Sequence, residues 1–451
     1  MNKANCEDRF TAKYHSSKEL YERSLKVSRG MNHDSRYCTP FPIFASHAKG
    51  SRKWDVDGNE HIDYSMGHGA LLFGHAHPDI VSAVSEQIAK GSLYALEHEL
   101  DIELAERINR LIPAAERVEL VSTGNEATIL IAQIARAYTC RHKILKFEGH
   151  NFGWSDEMDA GSAVPFDKPR AGRVPPAVDG ALTGGVMVIP QNEVALEQAL
   201  AKKDVAALFM EGGEALGTGI AVLPEITSAA RRLTQQYGTL LVFDEIITGF
   251  RWSPGGYQAV VGVTPDLCAL AKIMGGGLPI GAACGRTDVM EMLKIKADDP
   301  EWNRFRRVPH AGSYNGNAVS VVAGINVLKM AATGEPQKRA EKLTERLCVG
   351  MNHEIEKRGI RACAFHYSSV LHLHFGECRR CDRKMCLDTN KITTSKVTDA
   401  LNRHMFLNGV HIHRGVLGWV SAVHTEQDID ETIDAFGCAL DDMMEEGEFD
   451  S

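Results

Sequence analysis

Three short stretches of this 451-residue chain carry side chains that could do chemistry. In VELVSTGNEATILIAQIAR (118–136) an apolar run passes through Thr123, Gly124 and Asn125 straight into a helical pattern. Gly124 lets the backbone approach closely, and the helix start offers free N–H groups and a positive dipole end, which suits a phosphate. An ordinary helix N-cap is the alternative. In TLLVFDEIITGFR (239–251) a strand-like run ends on Asp244. Ligands of open α/β sheets sit beyond the strands' carboxyl ends, so Asp244 is expected in a crevice, where a carboxylate needs a cationic or hydrogen-bonding partner. A helix cap or a metal carboxylate would also use such an acid. In DLCALAKIMGGGLPIGAACG (266–285) Lys272 stands between an apolar run and three glycines. Poor solvation there lowers the amine's pKa and makes its nucleophilic, neutral form accessible. A solvated surface lysine is the alternative. Against it stands the order phosphate turn, acid, amine, with Asp244 and Lys272 28 positions apart.

These residues need a scaffold. From about 118 to 290 the short runs RVELVST, KILKFEG, VMVIP, ALFMEG and TLLVFDE alternate with amphipathic helical stretches. Such alternation predicts an α/β fold, a mostly parallel sheet covered by helices on both faces. Residues 1–35 are polar with one helical stretch. Residues 50–65 read as two strands joined at Asp57-Gly58, and 77–91 and 101–112 as helices. After about 335 a helix, short strands and a last helix form a smaller α+β unit. The expected division is 1–66 (arm and part of the small domain), 67–330 (large domain) and 331–451 (small domain).

Composition excludes several classes. A net charge of −9 and a pI of about 6.1 argue against a nucleic-acid surface or a polybasic membrane anchor. No apolar run approaches the roughly 18 residues of a membrane span. The first twenty residues contain no apolar stretch of signal-peptide type, so the cytoplasm is the expected compartment. Eleven scattered cysteines read as reduced thiols. Cys378, Cys381 and Cys386 have zinc-like spacing, with His374 a conceivable fourth ligand; a loop of free thiols is the simpler reading. His68, His75 and His77 read as a structural loop, and no metal is expected.

At this point the chain resembles the class III, pyridoxal-phosphate-dependent aminotransferases of fold type I, over roughly residues 30 to 435. WDVDGNEHIDY, GHAHP, FEGHNFGW, FDEIITGFR, AKIMGGGLPIG and HAGSYNGN follow that family's order. The group it looks most like is the glutamate-1-semialdehyde aminomutases and their transaminase relatives. The resemblance implies that Lys272 is the Schiff-base lysine and the proton-moving base, and that Asp244 keeps the pyridine nitrogen protonated. It implies that Thr123, Gly124 and Asn125 hold the cofactor phosphate, and that Ile247 and Glu211 fall at cofactor positions. Gly212 follows Glu211 where the family usually has Pro. Ser313 matches a Thr that reaches the neighbouring subunit's phosphate, implying a homodimer. Arg36 matches an arginine that binds a substrate carboxylate, with a surface salt bridge as the alternative; Arg251 is a weaker second candidate. Tyr94, with Glu97 and His98, is a candidate for the substrate pocket, with a plain helix-entry role as the alternative.

The chain also departs from the pattern. Asn151-Phe152 stand where the family usually has Tyr-His, and the Tyr normally stacks on the cofactor ring. Asn151 cannot stack, and Phe152 could do so only if the loop shifts. Segment 158–182 lacks the Gly/Ser-rich loop of the aminomutases, and HIHRGVLGWVSAVH lacks their glutamate before a Gly-Phe pair. The expectation is therefore an intermolecular transaminase acting on an amino-acid donor and an oxo acceptor. The alternatives are an intramolecular aminomutase and a catalytically degenerate binding protein of the same fold.

Overall fold

The structure is a computed structural model, described here for residues 5–33, 36–162, 185–215, 220–376 and 395–449. The chain forms two units, Met1–Pro78 with Glu335–Ser451, and Asp79–Gly334. The divisions thus fall at 78/79 and 334/335.

The first unit opens with α1 (Cys6–Lys13) and α2 (His15–Ser24). One helical stretch was expected; there are two, because Tyr14 leaves the helical region (φ −114°, ψ 46°). Its ring is fully buried and its hydroxyl donates to the Phe406 carbonyl at 2.6 Å. Strands β1 (Ala45–Lys49), β2 (Arg52–Asp55) and β3 (Glu60–Asp63) follow, with the Asp57-Gly58 turn between the last two.

The second unit carries α3 (Pro78–Ile88, starting at the boundary) and α4 (Glu99–Leu111). Then come β4 (Arg117–Val121), α5 (Gly124–Thr139), β5 (Lys143–Phe147), β6 (Val186–Ile189) and α6 (Glu193–Leu200). They are followed by β7 (Val205–Glu211), α7 (Pro224–Tyr237), β8 (Leu240–Asp244), β9 (Leu267–Leu270), β10 (Gly281–Gly285) and α8 (Ala318–Ala331). The seven strands make one sheet in the order β4-β10-β9-β8-β7-β5-β6. Only β10 runs against its neighbours, so the mostly parallel expectation holds. Every residue of β7, β8, β9 and β10 is buried, as continuous apolar strands covered on both faces must be. Helix α5 buries Ala127, Leu130, Ile131, Ile134 and Ala135, the spacing of one helical face.

The chain then returns to the first unit with α9 (Glu335–Lys357), β11 (Ala362–Tyr367), β12 (Val370–Phe375), α10 (Ser395–Leu407), β13 (Val410–His411), β14 (Leu417–Trp419) and α11 (Glu426–Glu445). Val410 pairs with Ile62, so the two ends of the chain share one sheet. Leu347, Met351, Leu401, Met405, Phe436 and Leu440 pack with Ile62 and Tyr64 in this unit's core. The described helices include none long and apolar enough to cross a membrane. Cys378, Cys381, Cys386 and most of segment 158–182 lie outside the described residues; His374 sits in β12.

Candidate active site

The second unit's sheet aligns the expected acid and amine by register. Glu211 at the end of β7 pairs with Asp244 at the end of β8, and Asp244 pairs with Ala269 in β9. Lys272 follows three residues later, opening a 3-10 turn. Its φ of +50° is left-handed, which costs a non-glycine residue about 1–3 kcal/mol and is typical of functional positions. Asp244, Glu211 and Lys272 therefore gather at the carboxyl ends of three adjacent strands.

The electrostatics sharpen the pair. Asp244 is 7% exposed, and the Ile246 N–H donates to its Oδ1 at 2.9 Å. No other hydrogen bond reaches that carboxylate among the described residues. Burial pushes its pKa up to about 7, against the pull of the Ile246 amide and the Lys272 charge. Burial takes the Lys272 amine down to about 8; Asp244 and Glu211 hold it up and Arg251 pushes it down. Glu245, the adjacent acid, has a different task. It is fully buried and accepts from the Tyr257 and Gln258 amides, the Gln258 side chain and the Thr248 hydroxyl at 2.7–3.0 Å. It knots the loop after β8 to the segment around 257.

The turn before α5 packs directly on both chemistry-bearing segments. A Cβ on Gly124 would lie 2.7 Å from Ile246 Cδ1 and 3.3 Å from Ala271 Cβ. Thr123 caps α5 and forms a capping box with Glu126, whose carboxylate accepts from the Ser122 and Thr123 amides at 2.6 and 3.0 Å. The first-turn amides of Gly124 and Asn125 are the helix's orphan donors. The Asn125 side chain accepts from the Trp154 amide at 3.3 Å, so it holds the 151–154 loop.

Two expectations need correction. Phe152 is 1% exposed and lies in the core beside α5, edge-on to Phe209 at 5.6 Å, so it cannot stack on a ligand in the crevice. A large apolar ring gains more from the sheet–helix core than from an open loop. Arg251 has no exposure, and burial takes it down to about 10 despite the Glu214 charge, so it stands as a buried cation and not as an open surface fork for a substrate carboxylate.

The remaining candidates divide. Asn151 is exposed, with its side chain on Asp159 and the Gly153 amide. Glu211 accepts from the Asn151 amide at 2.7 Å, and Ile247 is half-buried in the loop after β8. Gly212 leaves no room for a larger residue, since a Cβ would stand 2.9 Å from both Thr248 Oγ1 and Tyr257 Cβ. The Tyr94 hydroxyl is turned back on the end of α3, accepting from Gln87 at 2.8 Å. Ser313 is exposed in a turn whose Asn315 bonds Ser122 and His310, each at 3.2 Å. Arg36 lies in the first unit, exposed, with no ion pair among the described residues. There too, His75 bonds Asp63 at 2.7 Å, His68 rings with His33 and His413, and His77 lies edge-on to Phe73 at 6.3 Å, so the three loop histidines have different neighbours. Sequence reasoning missed His150, fully buried behind Glu211, whose Nδ1 accepts from the Glu211 amide at 2.8 Å. Burial takes it down to about 4, so it is neutral. Its place in FEGHNFGW was the available signal.

The family model of aminotransferase class III matches residues 34–362. The chain belongs to the class III aminotransferases. It is 34% identical over 439 residues, 93% of its own length and 97% of the relative's, to a glutamate-1-semialdehyde 2,1-aminomutase of Thermodesulfovibrio yellowstonii. Among solved structures it is similar to an omega-transaminase from Sphaerobacter thermophilus, with TM-score 0.85 and 29% identity, covering 95% of this chain and 98% of that one. It is also similar to a transaminase with PLP bound, with TM-score 0.85 and 26% identity, covering 96% and 99%. A class III aminotransferase of fold type I is a pyridoxal-phosphate enzyme. The residues present fit that cofactor. Asp244 is a buried carboxyl whose second oxygen has no hydrogen bond or ion pair among the described residues, and the Gly124 cradle excludes even a methyl group from the turn at 123–125.

Proposed function

We propose that this class III aminotransferase is a transaminase, moving an amino group from an amino-acid donor to a carboxylate-bearing oxo acceptor. The observation that carries the chemistry is Lys272 and Asp244 at adjacent strand ends, with the amine lowered to about 8 and the acid raised to about 7. Bound pyridoxal phosphate supplies an aldehyde that captures amines and a ring that accepts the electrons of the broken carbon–hydrogen bond. Lys272 takes the substrate proton at Nζ, in a site where the neutral amine is accessible near neutral pH. Asp244 supplies the negative partner that keeps a ring nitrogen protonated. The first-turn amides of α5 seat the phosphate, and Glu211 orients the 151 loop. The reading includes a cytoplasmic homodimer in which exposed Ser313 reaches the neighbour's phosphate.

The intramolecular aminomutase is the second reading, favoured by the names of the curated relatives. Against it stand segment 158–182, without the Gly/Ser-rich loop of the aminomutases, and HIHRGVLGWVSAVH, without their glutamate before a Gly-Phe pair. One experiment separates them. The reconstituted enzyme is given a single amino donor without acceptor. A transaminase releases one oxo acid per site and stops until an acceptor arrives. Sustained turnover of glutamate-1-semialdehyde with no added partner would overturn the proposal.

Arg36 is the proposed carboxylate anchor. Arg36→Ala is expected to raise KM for a carboxylate-bearing acceptor about 10- to 100-fold, the scale of a charged hydrogen-bond pair. Turnover of an acceptor without a carboxylate should be unchanged; equal losses on both would remove Arg36 from the site.

A further inference from the structure

The first unit holds a second cluster of ligand-type side chains, which the aminotransferase chemistry does not use. Cys6 opens α1, His404 lies in α10, and Glu446 caps the end of α11. The Cys6 sulfur, a His404 ring nitrogen and a Glu446 oxygen all lie within 4.8 Å of one another. Cys6 is 2% exposed and His404 has no exposure at all. Neither ring nitrogen of His404 has a hydrogen bond among the described residues. Nε2 stands 3.9 Å from Glu446 Oε2, and Nδ1 stands 3.6 Å from Asp442 Oδ2.

An imidazole fully buried without a hydrogen bond is costly and calls for a partner. The neighbouring charges say which kind. Arg9 holds Asp442 Oδ2 at 2.9 Å and Glu446 Oε1 at 3.0 Å, while Glu446 Oε2 accepts from the Cys6 backbone amide at 3.1 Å and keeps one lone pair on the side of Cys6 and His404. Arg403 stands beside the Cys6 thiol and 3.9 Å from Glu448, which Lys396 approaches at 3.7 Å. Three carboxylates (Asp442, Glu446, Glu448) balance three cations (Arg9, Arg403, Lys396), so a dication meets no net positive charge, and metal binding would itself displace the thiol proton that burial otherwise retains on Cys6. Sulfur, imidazole and carboxylate together are the donor set of zinc. Tetrahedral zinc needs its donors about 3.5 Å apart, which the cluster reaches by small side-chain movement with Arg9 still on Oε1.

We propose that Cys6, His404 and Glu446 form a binding site for zinc, which fastens α1 to α10 and α11. The site is independent of the reaction proposed above.

The test uses the full-length holoenzyme carrying Cys378→Ser, Cys381→Ser and Cys386→Ser, which removes the other zinc-like thiols. The protein is stripped with a chelator, dialysed against zinc, and its bound metal counted. One zinc per chain is expected, with a thermal midpoint that rises on zinc addition. Cys6→Ser and His404→Phe should each weaken zinc binding at least tenfold and abolish that rise. If either fails to fold, Glu446→Gln is the alternative, since its side chain is 22% exposed; it should keep the circular dichroism spectrum and lose zinc. Absence of bound zinc, or binding indifferent to these substitutions, overturns the proposal.

Discussion

Lys272→Ala is expected to lower kcat by about 10⁴-fold or more and to end borohydride fixation of the cofactor to the chain. Removing a positioned proton-transfer group alone costs up to about 10⁴-fold, and Lys272 is also the nucleophile that would hold the cofactor. Its setting explains why no neighbour substitutes. Lys146, fully buried in the same unit, spends its amine on the Met158 and Ala160 carbonyls at 2.5 and 2.7 Å. The left-handed φ of Lys272 and the glycines after it place the amine at the strand ends. The fold should survive, because alanine removes an amine that burial already disfavours. Cofactor still fixed to the variant at the wild-type stoichiometry would assign the chemistry elsewhere.

The second large effect is at Asp244. Asp244→Asn is expected to lower kcat about 10²- to 10³-fold, the scale of deleting one preorganised electrostatic partner from a buried site. The same variant changes the apo protein in the opposite sense. Folded Asp244 titrates near 7 against about 3.8 unfolded. Between those values the folded chain keeps a proton that the unfolded chain has lost, so apo stability falls as pH rises from about 4 to 7, by at most about 4 kcal/mol. Lys272 acts with the other sign. Its folded value near 8 lies below 10.5, so the unfolded chain binds more protons and stability recovers as pH rises from about 8 to 10.5. Asp244→Asn should remove this contribution and make the apo protein more stable at pH 7. Urea unfolding of both apo proteins across pH 4–10 reads it as the difference between them, in which the slopes of all other groups cancel. A difference, wild type minus variant, that does not fall between pH 4 and 7 would show that Asp244 is not held in its raised state.

A carboxylate that is costly in the apo chain and required for turnover is the expected pattern of a site built for a cationic ligand group. Glu245 shows the contrast one residue away. Equal in type and in burial, it is satisfied by four donors of its own chain and is available to nothing else.

The strands around the site were legible because fully buried parallel strands need unbroken apolar runs. Their ends were legible because polar residues concentrate where those runs stop. Helix α8 was not: AVSVVAGINVLKMA is buried on nearly every side, so it lacks the polar face that periodicity detects. The break at Tyr14 was equally silent, since its buried hydroxyl bonds the Phe406 carbonyl, nearly four hundred positions along the chain.

Local order along the chain was enough to place the turn at 123–125, Asp244 and Lys272, because each candidate residue is held by the element that immediately precedes or follows it. Which way Phe152 and Arg251 face, which of Asp244 and Glu245 is left without a full set of donors, and the meeting of Cys6 with His404 and Glu446 were settled only by packing. Burial and hydrogen-bond satisfaction there depend on segments remote along the chain, and no window of sequence contains both partners.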